Sequence, residues 1–495
     1  MFSRWKLKGL LAVLLVAAVV LGGCGTGAKE ALPKLDAEAE GTLRVMFWDE
    51  NYFFQKYGNL FATQFPNIEI EVVSTRSMYS DMDESGVFDY KKAFRKFVDK
   101  EQPDVLMMNI ESYEELAAEG MLYDLESVIA QDKFDTAGML PSVVELLREK
   151  GGGKLYGLAP TFYSNALYYN VDLFNEHQID LPRDQMSWQE LFDLAKRFPT
   201  GGDEKERIYG LQLRSYQSSI FDLINSMGQT EDLAFLSGDG EKLTFDSDNW
   251  RRVFDMGVNA IKSGAVYTPK QQDMMGGMTM EEYYSRDLFI SGRVGMILGA
   301  TYYMRELEQA SEMSKTIKKF QWDLVTIPVN PADPETSSEL SLSDIFSVNA
   351  NSANQRAAWE FIKYINGEQF AKIQSRSFDG DLLTRTSIMK NTDNRNIEAF
   401  YKLKPKSTTN NTWEKMPSNF YGTLTNLFNE EAQQVVDGKK TTEEALSAIQ
   451  EKGQLELIKA KEEEKKQKEQ QEQNPEQTEE VSEGSAQSET VADAP

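Results

Sequence analysis

The chain has 495 residues, 40% hydrophobic and 11% aromatic, enough for two or three domains with buried cores. Its formal charge of −26 gives a surface that repels phosphate backbones, which excludes nucleic acid as a partner. One cysteine, Cys24, and one histidine, His177, leave no disulfide, no Cys/His metal site and no His-based triad, so no cofactor is expected.

The first 23 residues read as an export signal. Arg4, Lys6 and Lys8 precede an apolar run from Leu10 to Leu21, and small residues lead to Cys24. The run falls short of the ~20 apolar residues a spanning helix needs. Leu21-Gly22-Gly23-Cys24 resembles the lipobox of bacterial lipoproteins, in which the cysteine becomes the lipidated (palmitate-bearing) first residue. The alternative is an ordinary signal peptide with an incidental cysteine. Residues 24–40 are small and charged and read as a tether, which places the protein on the extracytoplasmic side of the cell membrane, anchored by lipid.

Thr42 to Trp48 is strand-like and leads into a helix through Phe61 that Pro66 stops. Ile68 to Val73 alternates with period two, and Asp104 to Met108 forms a third strand. Ser112 with Glu115, and Ser187 with Glu190, fit the capping box that closes a helix N-terminus. Apolar faces repeat at helical spacing after Trp188, from Trp250 to Ile261, and from Ala357 to Ile365. Strands alternating with helices predict an α/β fold. Aromatics vanish beyond about Leu457; residues 459–468 extend a helix, and 470–495 read as disordered by composition.

Segment order resembles the extracellular solute-binding proteins of the type that includes maltose-binding protein. The resemblance is carried by Gln102-Pro103-Asp104-Val105-Leu106, by Gly153 to Pro160 followed by Ala166 to Asn170, and by Ser187-Trp188-Gln189-Glu190-Leu191. Ser291-Gly292-Arg293-Val294-Gly295-Met296, Ala357 to Ile362 and Gly438 to Leu446 continue it. The Met-rich stretch from Asp273 to Met280 and the acidic tail depart from it. The resemblance implies a periplasmic-binding-protein-like fold, two α/β lobes joined by a three-crossing hinge with a ligand cleft between them. The lobes would comprise 41–170 with 331–385, and 171–330 with 386–458, with crossings near 171–174, 327–331 and 384–387. It also implies ABC permease subunits as membrane partners, a monomer, and no enzymatic activity.

Ligands of parallel α/β sheets lie beyond the carboxyl ends of strands. The candidate ligand-binding residues at such exits are Trp48, Asp49, Asn51 and Tyr52, then Asn109 and Glu111, then Tyr163 and Ser164. Arg214 and Tyr216, Thr301, Tyr302 and Tyr303, and Ser343 and Asp344 complete the set. Rings stack on sugar C–H faces while amides and carboxylates bond hydroxyls, so a carbohydrate is the favoured ligand. Each ring has the alternative of lobe core. Tyr168, Tyr169, Trp188, Trp250 and Trp359 read as core, His177 as surface, and Ser112 as a helix cap. Asp81 to Gly86 begins like a calcium loop, but Lys92 replaces its closing glutamate. Met274, Met275, Met278 and Met280 offer thioethers to Cu(I) or simply form a loop. The function expected is the binding component of an ABC importer. The alternatives are a binding subunit of a sensor or surface assembly, or an exported glycan-active enzyme.

Overall fold

The computed structural model describes residues 32–35, 39–81, 90–203, 206–214, 219–268, 279–376, 381–389, 394–406, 415–417 and 419–473. Cys24, the signal segment, Tyr216, residues 273–278 of the methionine stretch, most of the Asp81–Gly86 loop and residues 474–495 lie outside the described residues.

Two five-stranded sheets organise the chain. The first has strands β1 (Gly41–Phe47), β2 (Ile68–Ser74), β3 (Val105–Met108) and β4 (Gly157–Leu158), with a later strand between the last two. β1 lies parallel to β2 in continuous register, Gly41 opposite Ile68 and Phe47 opposite Ser74, and parallel to β3. Leu43, Val45, Met46 and Phe47 are all buried, as expected for a central strand covered on both faces. All three strands therefore end at one edge, at Phe47, Ser74 and Met108.

A short β5 (Thr161–Phe162) leads to the second sheet, made of β6 (Asn165–Asn170), β7 (Tyr209–Gln212), β8 (Val266–Tyr267), β9 (Val294–Ala300) and β10 (Trp322–Val325). β6 runs antiparallel to β9 and β10, and β7 runs parallel to β9. Residues 165–170 thus hydrogen-bond wholly within the second sheet. The stretch 171–174, expected as the first crossing, therefore follows a strand that pairs within the second sheet. Val171–Glu176 is a helix of that second unit, with Asn170 Oδ1 accepting the Leu173 N–H at 3.0 Å.

The chain returns through β11 (Thr336–Ser337) to β12 (Ile345–Val348), the strand between β3 and β4, and it runs antiparallel to both. β13 (Leu382–Leu383) pairs with β5, and β14 (Lys404–Pro405) pairs with β11. Between them the backbone changes partners. Arg385 Nε donates to Asn366 O at 2.7 Å, whereas Asn396 N donates to Asp323 Oδ1 at 2.8 Å, beside β10.

One core gathers Phe47, Phe53, Tyr57, Phe346 and Phe361 under the first sheet and continues to Tyr168, Ile297 and Leu324 on one face of the second. The opposite face of that sheet, with Leu167, Tyr169, Met296 and Val325, joins a second core containing Trp188, Trp250 and Phe428. Trp359 is fully buried and donates its indole N–H to Asp132 at 3.0 Å. These aromatic positions are core, as read from their helical spacing.

Helix starts follow the capping logic with one correction. Ser187 and Glu190 form the expected box. Ser112 is not a cap: its helix begins earlier, at Ile110, because Asn109 in extended conformation accepts the Ser112 N–H at 2.9 Å. Ser219 with Asp222 and Thr279 with Glu282 form two further boxes. The final helix, Thr442–Gln473, runs past the point where disorder was expected to begin at residue 470. His177 is half-buried at the end of its helix, edge-on to Phe198 at 5.8 Å, and so is not simply a surface residue.

Candidate functional site

The parallel strands of the first sheet deliver Trp48, Thr75 and Asn109 to one edge, each directly after a strand end. β12 enters that edge from the other direction, with Ile345 opposite Met108, so the residues just before it, Ser343 and Asp344, join them. A cavity of about 350 Å³ opens there, lined by Trp48, Thr75, Tyr90, Asn109, Ser343 and Asp344 over a floor of methionines.

Trp48 keeps 42% of its surface exposed while resting on Tyr52, ring centroids 4.9 Å apart. Beneath them Phe47 stacks on Tyr52 at 6.3 Å and belongs to the core. The result is an aromatic plate fixed from below and open above. Asp49 points elsewhere: Oδ1 caps the following helix by accepting the Tyr52 N–H, and Oδ2 pairs with Arg76 at 2.7 Å. Asn51 is exposed on that helix. Asn109 spends its Oδ1 on the Ser112 cap, so any further contact falls to its amide donors. Glu111 is half-buried in the first turn of the same helix.

Behind the cavity lies a buried ionic group that sequence reasoning missed. The helix after β1 widens into a π turn at Phe54–Gly58, an irregularity frequent at functional sites. Gly58 is required there because a Cβ would come 2.6 Å from the Phe54 ring. The turn carries Lys56, 6% exposed at its side chain, whose Nζ lies 2.7 Å from Asp381 and 4.0 Å from Asp344. Tyr57 donates its hydroxyl to Asp344 at 3.5 Å. Burial pushes the Asp344 carboxyl above the usual carboxylate range, and Asp381 adds to this; Lys56 opposes it. Burial lowers the Lys56 ammonium, but the facing carboxylates of Asp381 and Asp344 outweigh it and leave the group above the ordinary lysine value.

The second sheet presents a comparable edge. β9 ends at Ala300 opposite the start of β6, and β7 exits nearby, bringing Tyr302, Asn165 and Arg214 together. Arg214 reaches Glu339 at 3.6 Å, and Asn165 Nδ2 also donates to Glu339. Tyr163 exchanges backbone hydrogen bonds with Ser341 at 3.0 and 2.9 Å. Burial raises its hydroxyl to about 12, with Tyr302, Glu339 and Asp381 adding and Arg214 opposing. Asp381 therefore acts on Lys56 beside the first edge and on Tyr163 at the second. Tyr302 stands 47% exposed.

Three expected site residues are buried. Tyr303 is buried and donates its hydroxyl to Asp287 at 2.9 Å, inside the core. Thr301 has no exposed surface, and Ser164 is 3% exposed with its hydroxyl turned to Asn165 O. A helix starting at Tyr303 turns successive side chains by 100°, so a strand exit predicts only one or two outward residues.

A profile of the family of bacterial extracellular solute-binding proteins matches residues 48–372. The chain belongs to that family. This solute-binding protein shares its fold with the sugar-binding protein MalE of Xanthomonas citri, 17% identical, covering 85% of this chain and 98% of that one with a TM-score of 0.56. The ABC substrate-binding protein Lmo0181 of Listeria monocytogenes, in complex with cycloalternan, is 19% identical over 84% and 98% of the two chains, TM-score 0.51. Among curated relatives, the sn-glycerol-3-phosphate-binding periplasmic protein UgpB of Brucella abortus is 26% identical over 184 residues, 37% of this chain. That match spans 40% of the relative's own length. The two-lobed, periplasmic-binding-protein-like architecture expected for the chain is thereby shown, as is its kinship with proteins that bind solutes outside the cytoplasm. Among the described residues, no helix is long and apolar enough to cross a membrane.

Proposed function

We propose that this solute-binding protein is the lipid-anchored receptor of an ABC importer and takes a neutral carbohydrate between its lobes. The observation that supports this most is the cavity in which Trp48, resting on Tyr52, stands beside Asn109 and Asp344. A ring face on one side and fixed hydrogen-bonding groups on the other match a sugar's C–H surface and hydroxyls. Trp48, Asn51, Tyr52, Asn109, Ser343 and Asp344 serve as the first-lobe contacts, and Tyr163, Arg214 and Tyr302 close from the second. Asp49 and Glu111 orient the first group, and Tyr216 belongs to the second by its place after β7.

Around the site the cations Lys56 and Arg214 are already engaged by Asp344, Asp381 and Glu339. This disfavours a phosphorylated polyol such as the ligand named for the Brucella relative, because its phosphate would have to displace one of these carboxylates from its cation. Ligand touching both edges binds the closed form better than the open one and shifts the population toward closure. The protein works as a monomer, performs no covalent chemistry, and its closed shape is read by permease subunits. Cys24, lipidated after removal of residues 1–23, holds it at the membrane.

A thermal-shift screen tests the reading, since a ligand that binds only folded protein raises the melting point. Linear and cyclic oligosaccharides are expected to raise it and glycerol 3-phosphate to leave it unchanged. The reverse pattern refutes the carbohydrate assignment. Release of reducing sugar from a bound glycan would refute the purely binding role.

A further inference from the structure

The expected tether does not run clear of the globule. Leu32 and Leu35 are both half-buried and pack against the core of the first sheet, while Pro33 and Lys34 between them are exposed. The Leu32 carbonyl accepts from Gln131 Nε2 at 2.9 Å and from Arg356 Nη1 at 3.5 Å. Arg356 is itself fixed. It bonds Asp132 at 2.8 Å and pairs with Glu360, which also pairs with Lys363, and all but Lys363 are nearly buried. The residues that receive the arm are thus a prepared, rigid fitting.

The place of that fitting is set by strand direction. Val348, the last residue of β12, lies opposite Val105, the first of β3, so β12 ends at the sheet edge remote from the candidate site. Asn354 follows, donating to Thr42 O at 3.2 Å beside the start of β1. Arg356 comes two residues later, in the first turn of the next helix.

We propose that Leu32–Leu35 is a strap that seats the N-terminal arm on the remote edge of the first lobe and so sets how closely the lipid anchor holds the globule to the bilayer. This rests on Cys24 being the lipidated residue. Eight Cα steps separate Cys24 from Leu32, a span of at most about 26–29 Å whatever their conformation, against about 56–61 Å for the seventeen steps to Gly41. Seated, the strap holds the lobe's remote edge toward the lipid surface and the candidate site away from it. Released, it doubles the reach and frees the globule to turn its ligand edge toward a membrane partner.

The test uses the full lipidated chain in vesicles with a headgroup-labelled acceptor lipid, and a donor dye on Glu69→Cys, an exposed position next to the remote edge. Transfer is expected to be strong and to fall by about twofold or more in Leu32→Asn/Leu35→Asn, because the reach doubles and transfer drops steeply with distance. Equal transfer in both overturns the strap. A second measurement needs no lipid. On the Cys24→Ala chain, trypsin is expected to cut after Lys34 slowly, and at least about tenfold faster when both leucines are replaced. Equal cutting also overturns the strap. Failure of the lipidated chain to join vesicles, with slow cutting retained, overturns the lipid anchor alone.

Discussion

Lys56 and Asp381 meet at 2.7 Å across 325 residues of sequence. One sits on a π turn beside the first sheet's ligand edge, and the other directly precedes β13, whose partner β5 begins the passage to the second lobe. The pair therefore ties the π turn behind the cavity to the paired strands β5 and β13.

Lys56→Met leaves Asp344 buried without its cation. Breaking a buried pair from one side costs about 3–5 kcal/mol, and the partial exposure of Asp381 places this case near about 3. Urea unfolding is expected to show that loss, with Lys56→Met/Asp344→Asn recovering part of it. A stable single variant would remove the group from any structural role.

Trp48→Ala removes the open plate without touching the core. Carbohydrate affinity is expected to fall by about tenfold or more, with the apo melting temperature nearly unchanged. Phe47→Ala, one residue earlier and fully buried, is expected to cost about 3–5 kcal/mol of stability. Titration calorimetry and thermal unfolding of the two variants separate the roles, and a large melting loss at Trp48 would assign it to the core.

Asp132 supplies a pH signature. Burial alone would raise its carboxyl, but bonds from Lys363, Trp359 and Arg356 outweigh it and hold the group at about 2. A depressed carboxyl stabilises the fold above its unfolded value near 4, and the gain disappears as pH falls from there through about 2. Asp132→Asn is expected to cost about 1–2 kcal/mol at pH 7 and to converge with the parent near pH 2. Melting curves across that range check it; a constant difference at every pH would contradict the assignment.

Among the residues whose burial is described, Leu457 and Ala460 are the last buried ones of the final helix. Truncation after Gln473 is expected to leave melting temperature and ligand affinity unchanged. Truncation before Leu446, which is buried with Ala445 and Ile449, is expected to lower the melting temperature by many degrees. Circular dichroism and calorimetry on both chains decide this.

Local periodicity revealed most of the first sheet. Ile68 to Val73 alternates, and Asp104 to Met108 is a short apolar run, so the edge where β1, β2 and β3 end was readable, and with it Trp48 and Asn109. Ser343 and Asp344 were reached because they precede a strand-like run through Val348. Lys56 was not legible. A lysine in a helical stretch reads as solvated, and its two partners lie hundreds of residues downstream. Glu339, Arg214's partner, was hidden for the same reason. Tyr303 was misread because a strand exit and a helix start adjoin there, and side-chain direction changes within one residue. Asn170 shows the opposite failure, since its apolar neighbours fit either lobe and only hydrogen-bond partners decide the sheet.

The π turn at Phe54–Gly58 makes this stretch sensitive to length in a way composition alone does not disclose. Excising any one of its five residues would let the backbone relax to ordinary winding, since the wide turn holds one residue more than its neighbours need. Residues downstream would then keep nearly their present direction relative to Phe53, because Phe53 and Phe61 would stand seven residues, about two turns, apart. Both rings could still face Phe361, which each now contacts at under 6 Å. What would be lost is the bulge that carries Lys56, so homologues lacking that residue would keep the aromatic anchor and have to rebuild the ammonium position, and deletions here should travel together with changes at 344 and 381.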